Sequence, residues 1–176
     1  MPLLLYSVVY VLIAFGHFRY PVLLLHVLPL LLIVIPFAAR HDFPLRLNVL
    51  HATLGFGMAA GILVLTVAAL GAAGKRLIVP SVELVVTQLL LVALPEEAFF
   101  RGYLQQSFGG GSQSVVLGSV LFWGAHLPAY LVKGDASALL VFFPSLVMGW
   151  LYDRTGNILP GIIFHGCANT LWLSIR

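Results

Sequence analysis

The chain has 176 residues, 61% hydrophobic and 9% charged, with a mean hydropathy of +1.06. A soluble domain carries about 25% charged residues, so this composition cannot solvate a surface in water, and the bilayer is its natural solvent. The net charge of +3 is small and scattered, with no basic stripe, so nucleic acid is excluded as an expected partner. The single cysteine, Cys167, cannot form an internal disulfide, and no CxxC or Cys/His spacing suggests a structural zinc site.

The N-terminal run MPLLLYSVVYVLIAF lacks a basic leader and a small-residue cleavage site, so it is expected as a retained first span. A span needs about 20 mostly apolar residues, fewer when neighbours bury it. Seven segments qualify, at roughly 2–16, 21–38, 47–73, 78–108, 114–132, 136–152 and 157–175. The gaps between them are short and rich in Gly, Pro and charge. The expected fold is all-α: a polytopic transmembrane bundle of about seven spans, one membrane-embedded domain over residues 1–176, because backbone in lipid must satisfy its own hydrogen bonds. The segment 78–108 exceeds one crossing and turns polar in its last third, so it tilts, projects past the lipid or bends at Pro95.

Counted in chain order, the odd gaps and the C-terminus carry Arg19, Lys75, Arg76, Lys133 and Arg176, and the even gaps carry Arg40, Arg46 and Arg154. Five cations against three place the N-terminus outside and the C-terminus inside. That vote turns the Glu96 end of the fourth segment outward.

A few polar residues lie inside apolar segments rather than in gaps: Glu96, Glu97 and Arg101 in the fourth, His126 in the fifth, His165 and Asn169 in the seventh. A central charge costs roughly 2.5–3.5 kcal/mol on insertion scales, so such groups are usually paired and functional. Glu97 and Arg101 are four apart, on one helix face, and can form an ion pair. Glu96 points roughly 140° away from Arg101, which leaves it free to face a cavity and exchange protons there. His165 and Asn169 are also four apart and can donate to one point, the layout an oxyanion site needs. His126 follows Phe122 by four, so the ring walls it.

Each feature alone has a plainer reading. Glu97–Arg101 serves as an intrahelical pair, His126 as a satisfied buried histidine, and His165 with Asn169 as interhelical hydrogen-bonding glue. His17, His26, His41 and His51 read as interfacial or packing residues, Cys167 as a small packing residue, and Trp150 and Trp172 as interfacial anchors. Trp123 is a cavity wall or an anchor. Gly109-Gly110-Gly111 is a loop without the lysine-serine of a phosphate cradle, and Asp153-Arg154 is a solvated turn.

Taken together, Glu96-Glu97-Ala98-Phe99-Phe100-Arg101, Phe122-Trp123-Gly124-Ala125-His126 and His165-Gly166-Cys167-Ala168-Asn169 match Glu-Glu-x-x-x-Arg, Phe-x-x-x-His and His-x-x-x-Asn in order. Over residues 80–176 the chain resembles the CPBP (CAAX protease and bacteriocin-processing, or Abi) family of glutamic intramembrane endopeptidases. The resemblance implies that Glu96 and His126 activate water, that His165 and Asn169 hold the oxyanion, and that Glu97 and Arg101 support them. It implies a protease of the cell membrane, multi-pass in a bacterial inner membrane, acting on a membrane-anchored protein or peptide. The outward site disfavours prenylated CAAX ends and suits C-terminal sorting tails. No cofactor is expected. Zinc held by Glu96 or Glu97, His126 and His165 is the runner-up, although no HExxH exists and Arg101 would compete with a cation. A non-enzymatic membrane immunity or scaffold protein is the remaining alternative.

Overall fold

The computed structural model describes residues 1–39 and 43–176. Arg40, which entered the charge count, and His41, read as interfacial, lie outside the described residues. The chain is helical almost throughout: α1 (Pro2–Phe18), α2 (Leu28–Ala38), α3 (Val49–Ala72), α4 (Val82–Thr87), α5 (Leu94–Phe99), α6 (Gly111–Lys133), α7 (Phe142–Thr155) and α8 (Leu159–Leu173). Among the described residues there is no sheet, only one isolated antiparallel bridge between Leu77 and Ile175.

Widened π-helical stretches join several of these helices. Leu23–Val27 leads into α2, Gln88–Ala93 joins α4 to α5, and Phe100–Gln105 continues α5. Two of them end immediately before a Leu-Pro pair, Leu28-Pro29 and Leu94-Pro95. Proline has no N–H and its ring clashes with the carbonyl four residues back, so a wider turn there lets the helix run on. The polar fourth segment is therefore one continuous helical path from Val82 to Gln105 that runs through Pro95.

The all-helical expectation holds, but helix length does not establish seven spans. Among the described helices, α3 and α6 are long and apolar enough for a full crossing. α1, α2, α7 and α8 have 17, 11, 14 and 15 residues. The expected sixth segment starts as a short 3-10 turn, Ala136–Leu139, and becomes α-helical only at Phe142. Asp153 and Arg154, expected as a turn, form the exposed last turn of α7, where the guanidinium lies 5.9 Å from the Trp150 ring centre.

α3 is apolar on every side and largely uncovered, with Leu50, Phe56, Val64 and Leu65 exposed. In water such a face would be a sticky patch; in lipid it is an ordinary outer wall. Only Gly55 is buried in α3, and it meets α8: a Cβ there would fall 2.7 Å from the Pro160 carbonyl oxygen. The interior, by contrast, is aromatic, with Phe99, Phe100, Tyr103, Phe122 and Phe164 packed around Met148 and Leu151.

Gaps of the same parity touch each other. Arg76 and Arg176 exchange backbone hydrogen bonds of 3.1 and 3.0 Å, joining the third gap to the C-terminus. At the opposite parity, Asn157 of the sixth gap accepts from Arg46 N (3.1 Å) and Leu159 N (3.1 Å) and donates to Arg46 O (2.8 Å) in the second gap. Its amide also lies 2.8 Å from His51 Nδ1. Gly111 N of the fourth gap donates to Asp153 Oδ1 at 2.6 Å.

Asn157 is completely buried and its carboxamide is saturated. Asn157→Ala strands backbone groups of the 44–48 connection, and each buried unmet partner costs about 1–3 kcal/mol. The expected result is a clearly lower midpoint of thermal unfolding in detergent; an unchanged midpoint contradicts the assigned clamp.

Candidate active site

The two adjacent glutamates separate as the helical arithmetic requires. Glu97 of α5 is completely buried and its Oε1 lies 3.2 Å from Arg101 Nη1, one turn on. Arg101 is 1% exposed. Its Nη2 donates to Ser145 of α7, at 2.7 Å to Oγ and 3.1 Å to the carbonyl oxygen. Its guanidinium also lies 4.6 Å from the centre of the Phe122 ring, a cation–π contact. One turn further, Gln105 Nε2 donates to the Gly149 carbonyl at 2.9 Å. The Arg101–Ser145 and Gln105–Gly149 contacts, one turn apart on both helices, fix the register of this segment against α7.

The same Glu97 oxygen takes a second partner. His165 Nδ1 lies 3.1 Å from Glu97 Oε1, and its Nε2 lies 3.7 Å from Glu96 Oε2. His165 is thus held between the two carboxylates and meets the Phe122 ring in a T-shaped contact at a 5.7 Å ring separation. The other Glu97 oxygen faces Gly161 of α8, where a Cβ would come within 2.7 Å of it. Only glycine at 161 lets α8 close on the carboxylate.

His126 of α6 lies one turn after Phe122, as expected. Its Nδ1 is 2.8 Å from the Phe122 carbonyl oxygen. A carbonyl only accepts, so Nδ1 carries the hydrogen, and in the neutral ring Nε2 is an acceptor.

Glu96, Phe122, His126, His165 and Asn169 line one cavity of about 470 Å³. Glu96 keeps 19% side-chain exposure, against none for Glu97. His126 faces the same cavity but makes no direct contact with Glu96 among the interactions described. Nor is a hydrogen bond between Asn169 and His165 among those described; Asn169 Nδ2 donates at 3.1 Å to Gln88 Oε1, and Gln88 lines the same cavity. Gln88 and Ser145 are absent from the sequence-derived set. Gln88 had one visible signal, a carboxamide in a leucine-rich run; Ser145 had none.

The cavity runs from Glu96 to Asp135, Ser137, Trp172 and Ile175, beside the fifth gap and the C-terminus. It therefore extends toward the end that carries Lys75, Arg76, Lys133 and Arg176. This corrects the expectation that the site looks toward the Gly109–Gly111 end. That expectation placed Glu96 by its position along segment four, whereas the free space is lined by the later parts of α6 and α8, from His126 and His165 onward. Trp172, read as an interfacial anchor, is both exposed and part of the cavity wall. Cys167 lines a second, apolar cavity of about 530 Å³ between α3, α4 and α8 and is turned away from Glu96.

Replacing Glu97 by Gln should remove one side of a buried ion pair, which costs about 3–5 kcal/mol. We expect a large drop in thermal stability for Glu97→Gln and partial recovery in Glu97→Gln/Arg101→Met. A double variant no more stable than the single one contradicts the pairing.

The profile of the family described as type II CAAX prenyl endopeptidase Rce1-like matches residues 78–171, just over half of the chain, a range that includes Glu96, Glu97, Arg101, His126, His165 and Asn169. No individual curated protein and no solved structure matches significantly. The family implies a hydrolase of the membrane-protease type. With the motifs on α5, α6 and α8 and the matching profile together, the chain belongs to the Rce1-like CAAX prenyl endopeptidase family, which is the CPBP, or Abi, family.

Proposed function

We propose that the protein is an intramembrane endopeptidase that hydrolyses a peptide bond near the C-terminus of a membrane-anchored protein, with water activated by Glu96 and His126. The observation that carries this reading is the single cavity shared by Glu96, His126, His165 and Asn169. Glu96 is the carboxylate that Arg101 does not pair with, and it keeps partial exposure to the cavity, so it accepts a proton from water. His126 Nε2, an acceptor once Nδ1 is bonded to Phe122, holds the second hydrogen of that water. The hydroxide adds to the substrate carbonyl carbon, and the oxygen gains negative charge. His165 and Asn169 are the donors available to it. Held at Nδ1 by Glu97, the His165 ring turns its Nε2 edge toward Glu96 and the cavity, and it donates to the substrate oxygen when Nε2 carries a proton. Collapse of the adduct expels the amine, which takes the proton from Glu96.

A prenylated CAAX end is the substrate we favour over a sorting tail. The cavity extends toward the cation-rich end, which the positive-inside rule places on the cytoplasmic side. The earlier objection to such a substrate depended on an outward site. A multi-pass topology in a cell membrane fits the pairing of same-parity gaps at opposite ends. The non-enzymatic alternative leaves the buried acid–base cluster without a use.

Zinc is the second reading. Arg101 and His165 already occupy Glu97, and among the described residues no group of three or more His, Cys, Asp or Glu side chains is arranged to hold an ion. The test is release of the C-terminal residues of a farnesylated, internally quenched CAAX peptide by purified protein in liposomes. Cleavage should persist in strong chelator, and His126→Ala should lower it by roughly 10²–10⁴-fold, the usual worth of acid–base assistance. Activity lost to chelator and restored by zinc would instead support the metalloprotease. Accessibility tags should report Gly109–Gly111 outside and Arg176 inside; the reverse would return a sorting-tail substrate to first place.

A further inference from the structure

Gln88 carries a role that the three motifs leave unassigned. It opens the π-helical stretch Gln88–Ala93, eight residues before Glu96. In a regular α-helix eight residues place two side chains roughly 80° apart. A π turn absorbs one extra residue, so the spacing acts as seven, roughly 20°. The widened turn before Pro95 therefore brings Gln88 onto the same face as Glu96, and both line the cavity. Gln88 is half-buried in a wall that is otherwise apolar at Ile62 and Val92. Its only described side-chain bond is to Asn169, 81 residues away on α8.

We propose that Gln88 is a positioning residue for catalysis: its carboxamide oxygen takes one N–H of Asn169 and so aims the other at the substrate oxyanion. This rests on the protease reading given above. A free asparagine side chain offers either its oxygen or its nitrogen to the cavity, and only the nitrogen stabilises an oxyanion. With Gln88 Oε1 accepting from Asn169 Nδ2, the nitrogen side of Asn169 is turned to the cavity before substrate arrives. Gln88 itself touches neither water nor substrate in this scheme, so it acts through Asn169 alone.

A double-mutant cycle on the farnesylated peptide tests the dependence. Gln88→Met preserves length and removes the acceptor, and we expect kcat to fall roughly 10–100-fold, as when a partner that orients a functional ligand is removed, with KM unchanged. Asn169→Ala should lose up to roughly 10²–10³-fold. The double variant should be no slower than Asn169→Ala, because Gln88 has nothing left to orient. Losses that multiply overturn the proposal, as does a change confined to KM. An activity-free readout accompanies the cycle. The chain has three asparagines, Asn48, Asn157 and Asn169, so ¹⁵N-asparagine labelling gives a simple set of side-chain amide signals. Asn169→Ala identifies its pair. Gln88→Met should draw the two Asn169 hydrogen shifts together and speed their solvent exchange, leaving Asn48 and Asn157 unmoved. An unchanged Asn169 pair overturns the contact. A wild-type protein that does not cleave the peptide overturns the substrate reading, and the amide signals then decide the Gln88–Asn169 contact separately.

Discussion

The buried ion pair between Glu97 and Arg101 is the constraint on which the rest of the site depends. Two charges removed from water are costly, and their attraction alone does not reliably repay that cost. Here the cost is offset by further partners. Arg101 spends its other nitrogen on Ser145 and its face on Phe122, and Glu97 shares Oε1 with His165. Four helical elements meet through these two side chains. The result is a histidine locked in orientation beside a second carboxylate that lies outside the Arg101 ion pair. Division of labour between adjacent glutamates follows from one helical step: one points into the pair, the other into the cavity.

The widened turns give the site its remaining geometry. A proline within a helix ordinarily kinks or ends it, yet Pro95 sits immediately before Glu96 in a continuous path. The π-helical stretch before it absorbs the missing bond, and the one after it carries Arg101 and Gln105 to α7. Local irregularity thus supplies register rather than disorder. Gly161 contributes in the opposite way, by omitting a side chain where α8 meets the Glu97 carboxylate.

Much of this was legible in the sequence. Apolar run length gave the helical character, and four-residue spacing gave the Glu97–Arg101 pair and the face shared by Phe122 and His126. The count of seven full spans was not legible, because apolarity does not reveal where a run starts as a 3-10 turn, as at Ala136, or passes through a π stretch. Nor was the direction of the cavity, whose walls come from residues far apart in the chain, from Ile62 to Ile175. Gln88 escaped because regular helical arithmetic turns it away from Glu96; Pro95 marks an irregularity in this segment but does not reveal that it takes the form of a π turn beginning at Gln88. The contact between His165 and Glu97 joins residues 68 positions apart, and spacing within one helix is silent about it.

The central claim is that Glu96 is the base and Glu97 the structural anchor. Its most direct test is cleavage rate per folded molecule for Glu96→Gln and Glu97→Gln, with folded fraction measured on the same samples. The account predicts a Glu96→Gln protein that keeps wild-type stability and no measurable turnover, and a Glu97→Gln protein that is markedly less stable with residual turnover. A stable, inactive Glu97→Gln beside a fully active Glu96→Gln would contradict it and exchange the two roles.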